Sequence, residues 1–96
     1  MTKYTVKELK KGMKNIEIEV TVDFLGEKRK TDGFNNDTFQ VGFVKDETGD
    51  IKLVFWNDDV KKVKEGKKLK IVDGYVTEFR DTLQLNASKE KGIKWL

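Results

Sequence analysis

Cysteine, histidine and proline are absent from these 96 residues, and Ser88 is the single serine. Without Cys there is no disulfide framework and no thiolate metal site. The lack of His as well removes the usual zinc ligands and the commonest general base. Ser88 therefore has no imidazole partner anywhere in the chain, which excludes a serine or cysteine hydrolase of the usual kind. Carboxylates could hold a hard cation, but no Asp-x-Asp-x-Asp calcium loop is present. Neither catalysis nor a cofactor is expected. Apolar runs are a few residues long, so no segment reads as a membrane span, and Met1-Thr-Lys-Tyr4 lacks a signal-peptide core. A cytoplasmic protein is the expectation.

What is present is a thin core under a charged surface. Hydrophobic residues make up 36% of the chain and charged residues 39%, so residues 1–96 are expected to form one domain around a single core. The net charge is +3, unevenly spread: residues 1–48 carry nine basic and nine acidic side chains, residues 49–96 eleven and eight. The surplus allows a polyanion partner without demanding one, because Lys and Glu enrichment also describes a heat-adapted surface.

The pattern is mostly β. Thr5-Val-Lys-Glu8 reads as a capping box opening a short helical turn, with Val6, Leu9 and Met13 covering one end of the core. Ile16, Ile18, Val20 and Val22 then alternate with polar residues as a first strand. Residues 26–37 read as a long loop holding Lys28, Arg29, Lys30 and the turn signal Asp32-Gly33. Further strands are expected at 38–45, 50–56, from 68, and 81–87. A short helix over 57–66 falls between the third and fourth, with Asp58 and Asp59 as helix-start anions rather than a metal site. Phe24, Phe34 and Phe55 are taken to be packing residues, and Trp95 to pack the tail onto the core.

Two places break the rule that a half-buried strand is polar on its wet face. In the segment from Ile51 to Trp56, Ile51, Leu53 and Phe55 form the apolar phase, so Lys52, Val54 and Trp56 are left outside. In the next strand Leu69 and Ile71 share a phase with Tyr75 and Phe79, which would bury the rings. A β-bulge at Asp73-Gly74 would reverse the phase, turning Val76 in and both rings out. Phe43 is open on pattern alone, since it shares a phase with Phe39 and Val41 while Val44 belongs to the other.

Five strands with one helix between the third and fourth is the layout of the OB-fold, a Greek-key barrel that binds oligonucleotides. The segments 44–56, 63–66, 74–80 and 83–87 resemble archaeal single-stranded-DNA-binding proteins and the OB domains of archaeal replication protein A, the likeness running over residues 3–88. The Asp46-Glu-Thr-Gly49 turn and the strand ending in Trp56 are its most specific part. The resemblance implies that Trp56, Tyr75 and Phe79 stack bases, and that Arg80 and a residue among Lys28, Arg29 and Lys30 contact phosphate. It also puts Gly42 and Val44 inward, which leaves Phe43 on the binding face, where Lys52 is expected too. The implied partner is single-stranded DNA or RNA, with other OB domains of a replication protein A complex as candidate companions. Two alternatives stand: a protein-docking module whose rings seat apolar side chains, and an RNA-binding OB domain. The basic run Lys28 to Lys30 is also what an ordinary solvated loop carries.

Overall fold

The structure, a computed structural model, describes residues 2–31, 37–88 and 92–96. Its strands are β1 (Thr2–Lys3), β2 (Ile16–Lys30), β3 (Thr38–Asp46), β4 (Gly49–Trp56), β5 (Lys68–Phe79), β6 (Thr82–Asn86) and β7 (Ile93–Trp95), with helix α1 (Asp58–Lys62) between β4 and β5. β2 pairs with β3, β3 with β4, β4 with β6, β6 with β5, and β5 back with β2. This ring of five strands is the expected Greek-key OB barrel. The two short strands β1 and β7 are additions that the periodicity did not announce; they lie along β2 and β5.

Alternation explains the core. Ile16, Ile18, Val20 and Val22 of β2, Ile51, Leu53 and Phe55 of β4, and Leu69 and Ile71 of β5 are all buried, with Phe55 the largest fully enclosed side chain. The turn Val6–Glu8 closes one end: Val6 and Leu9 are buried and Met13 packs against them. It is held by Asp46 at the β3–β4 turn, whose carboxylate accepts from Val6 N–H at 2.8 Å and from Thr48 N–H and Oγ1 at 2.7 and 2.6 Å. Trp95 fixes the tail, its ring stacked on Phe55 at 5.9 Å and its Nε1 donating to Asp59 Oδ1 at 3.3 Å.

Two expectations need correction. Residues 26–30 are not loop: β2 continues to Lys30, with Lys28, Arg29 and Lys30 opposite Gln40, Phe39 and Thr38. The ladder with β3 satisfies this backbone although the side chains carry no apolar period. The turn signal Asp32-Gly33 and Phe34 lie outside the described residues. The helix is also shorter than 57–66, because Val63 is already extended and Asn57 points its side chain back to Thr38 N–H (3.0 Å) instead of capping the helix.

The proposed bulge in β5 is present. Ile18 faces Ile71 and Ile16 faces Gly74, so two residues of β2 are matched by three of β5, with Asp73 in the left-handed region at φ 63°. Before the bulge Leu69 and Ile71 point inward; after it Val76 does, and Tyr75 and Phe79 point out. Gly74 is required by space, since a Cβ there would sit 2.7 Å from Ile71 Cγ2 and 2.9 Å from the Asn86 carbonyl oxygen. Gly74→Ala should therefore destabilise the fold by about 1–3 kcal/mol through overpacking. Urea unfolding measures this, and a neutral result would mean that the strand relaxes freely at this point.

Acid should loosen the end closure. Burial pushes the Asp46 carboxyl up, but hydrogen bonds from Thr48 and from the N–H groups of Val6, Thr48 and Gly49 outweigh it and hold the group below its ordinary value. A folded-state value below the unfolded one means stability that is present above about pH 4 and lost as pH falls through the depressed value. Urea midpoints recorded down the acid range should fall, and Asp46→Asn should flatten part of that decline.

Candidate nucleic-acid interface

β3, β4, β6 and β5 present one continuous outer face, and strand register says which side chains share it. Phe39 faces Trp56, Val41 faces Val54 and Phe43 faces Lys52 across β3 and β4. Lys52 is level with Gln84 of β6, which faces Thr77 of β5, while Tyr75 faces Asn86 and Phe79 faces Thr82. Gly42 and Val44 point inward with Gln40, so Phe43 is on the outer face and half-buried. Gln40 is an unforeseen core residue: its Nε2 donates to the Gly26 carbonyl at 2.7 Å.

Among the described residues four rings stand clear of the core: Trp56 is 47% exposed, Tyr75 42%, Phe79 68% and Phe24 54%. Trp56 leans on Phe39 at a centroid distance of 5.3 Å and a tilt of 36°. Asn57, at φ 49°, turns the chain straight after it, and its N–H donates to the Thr38 carbonyl at 2.7 Å. This anchors the end of β4 that carries the indole. Between Trp56 and Tyr75 lies a groove of about 560 Å³ lined also by Val54, Asn57, Asn86 and Ile93. Its floor is ordered by Asn86, which accepts from Gln84 Nε2 at 3.0 Å and donates to Thr77 Oγ1 at 3.1 Å.

Of the basic residues expected at the site, Arg29 shares the face of Phe39 and Trp56 by register, and Lys52 stands beside Phe43. Lys28 and Lys30 pair with Gln40 and Thr38, on the opposite side of the β2–β3 ribbon from Arg29. Arg80 caps the β5–β6 hairpin, its guanidinium 5.2 Å from the Phe79 ring centroid. Among the described residues none of these cations forms an ion pair with a carboxylate; the salt bridges lie elsewhere, such as Lys3 with Glu19 and Lys45 with Asp23 at 3.1 Å each. Among those residues, too, no cluster of acidic side chains could hold a metal ion, and no helix is long and apolar enough to cross a membrane.

Phe24 corrects the packing assignment. The alternation from Ile16 to Val22 carried it inward on paper, but a bulge between Val22 and Phe24 sets it opposite Phe43 on the outer face. Phe39 and Val41 are further members of the face whose side chains the pattern left unassigned, beside Val54, which alternation already placed outside.

The hairpin at Arg80 is strained. Arg80 and Asp81 both lie in the left-handed region, at φ 51° and 64°, as a two-residue primed turn requires, and neither is glycine. The double replacement Arg80→Asn, Asp81→Gly should raise stability by about 1 kcal/mol while removing the cation beside Phe79. Urea titration of the two proteins decides it, and an unchanged midpoint would show that the turn carries no strain.

The comparisons agree with the fold. No protein-family profile matches the chain. A single-stranded DNA binding protein, Ssb, of Saccharolobus solfataricus is 34% identical over 89 residues, which is 92% of this chain and 60% of that protein. The chain thus spans less than two thirds of that relative's length. A domain of replication protein A from Methanococcus maripaludis superposes with a TM-score of 0.78 at 23% identity, covering 99% of this chain and 96% of that one. An OB domain of a Methanosarcina mazei protein gives 0.75 at 24%, covering 99% and 84%. The chain is an OB-fold domain, similar in sequence to an archaeal single-stranded-DNA-binding protein and in fold to the domains of archaeal replication protein A.

Proposed function

We propose that this domain binds single-stranded DNA with little sequence preference, its bases stacked on Trp56, Tyr75 and Phe79 and its phosphates met by Arg80, Lys52 and Arg29. The observation that carries the reading is the phase reversal at Asp73-Gly74, which sets Tyr75 and Phe79 on the same outer face as Trp56. The name of the Saccharolobus relative supports the choice of ligand. Every base has a π-face, so rings bind single strands at about 1–3 kcal/mol per stacked base without reading sequence. In a duplex those faces are occupied. With a net charge of +3, phosphate contacts alone give weak purchase. The proposal extends to a role in replication, recombination or repair beside other OB domains, which the likeness to the Saccharolobus protein supports.

The docking-module reading differs in one measurable respect. Trp56→Ala should weaken oligo-dT binding by about 1–3 kcal/mol in an anisotropy titration at moderate salt and leave melting nearly unchanged. Wild type should bind the single strand at least about tenfold tighter than duplex of equal length, a gap of about 1.4 kcal/mol that one stack can supply. Equal affinity for both would show that the rings are not the binding surface and would favour a protein partner.

A further inference from the structure

Among the described residues, Phe24 is the one exposed ring that this reading does not use. It is placed by the same device as Tyr75 and Phe79. In β5 the extra residue is Asp73; in β2 it is Asp23, since Val22 faces Val44 and Phe24 faces Phe43, so that two steps of β2 match one of β3. Without that extra residue Phe24 would continue the inward phase of Ile18, Val20 and Val22 and join the core. The displacement forgoes the burial of a phenylalanine and interrupts the ladder, and the site is tightly built. A Cβ on Gly42 would lie 2.9 Å from the Phe24 carbonyl oxygen and 3.0 Å from Leu25 Cδ2, so only glycine opposite lets β2 press this close.

The surroundings suit a nucleobase better than a protein. Phe24 stands at one end of the row Phe24, Phe43, Lys52, Gln84, Thr77 that runs across the sheet from β2 to β5. At about 4.8 Å per strand this row is roughly 19 Å long, measured along the curve of the sheet. Its flanks are charged: Asp23 is paired with Lys45 at 3.1 Å, and Lys52 carries no carboxylate partner among the described residues. Phe24 with the half-buried Phe43 opposite it, flanked by these charges, offers little apolar area to a partner protein, and a second copy would bring its own +3.

We propose that Phe24 is a further base-stacking site, at the β2 edge of the face, which takes one nucleobase of a single strand long enough to cross from β5. The inference rests on the single-strand reading above and extends its footprint. The test is a ladder of end-labelled oligo-dT of about 4 to 10 nucleotides titrated against wild type, Phe24→Ala, Phe24→Tyr and Trp56→Ala. Phe24→Ala should match wild type on the shortest oligomers and lose roughly 5- to 150-fold on the longest, the range of one stacked base. Phe24→Tyr should follow wild type throughout. Trp56→Ala should lose affinity at every length, and that arm tests the parent reading separately. A Phe24→Ala ladder superimposable on wild type, or weakened equally at all lengths, would overturn the Phe24 site while leaving the Trp56 result standing. Wild type that binds no oligomer would overturn both. Sedimentation showing a dimer that Phe24→Ala dissolves would give the ring to a copy-to-copy contact and would overturn the proposal as well.

Discussion

The inside of this barrel is full, and that constraint governs everything on its surface. Ile16, Ile18, Val20, Val22, Ile51, Leu53, Phe55, Leu69, Ile71, Val76 and Leu85 occupy the inward places at 5% exposure or less. A strand allows only two directions for a side chain. A large ring must therefore either displace one of these residues or sit in the outward phase, and where the sequence puts it in the wrong phase an inserted residue has to move it. β4 solves this by simple alternation and ends on Trp56. β2 and β5 each solve it with a bulge. The face is thus a by-product of register: residues far apart in sequence reach it because their strands were shifted by one.

That origin decides what could be read from sequence. Alternation around Ile51, Leu53 and Phe55 left Trp56 outside with no further information needed. The β5 bulge was legible because Gly74 follows Asp73, and glycine marks a place where backbones crowd. Around Asp23 the chain carries no such mark; the glycine that makes room is Gly42, on the opposite strand, and only the fold brings the two together. Phe24 was therefore assigned to the core. The extension of β2 through Lys30 escaped for a related reason, since its order comes from hydrogen bonds to β3 and not from any pattern in its side chains. The short strands β1 and β7 have too few residues to show a period, although Trp95 signalled that the tail would pack.

Charge and strain are distributed along the same lines. Arg29, Lys52 and Arg80 lack carboxylate partners among the described residues, whereas Lys45, beside Phe24, meets Asp23 at 3.1 Å, and Lys3 and Lys70 meet Glu19 and Glu17 at 3.1 and 3.7 Å. An exposed ion pair contributes about 0–1 kcal/mol, so leaving Arg80 and Lys52 unpaired costs the fold little. Backbone strain follows in part: Asn57, Asp73, Arg80 and Asp81 have positive φ and border the ring-bearing face, while Asn15, at φ 56°, lies before β2. Each of the four at the border holds a neighbouring ring, or the cation beside it, in place.

The lean of Trp56 against Phe39 has a consequence for valence. With a second ring tilted onto it at 5.3 Å, the indole has one side backed by protein and one side open. Phe79 is similarly occupied on one side by the guanidinium of Arg80. Neither ring is built to slide between two neighbours in a column, so a flat guest would be held as a single layer against a propped surface. On the single-strand reading proposed above, such a surface would take one base per ring, tolerate a gap between them, and let each leave without disturbing the next.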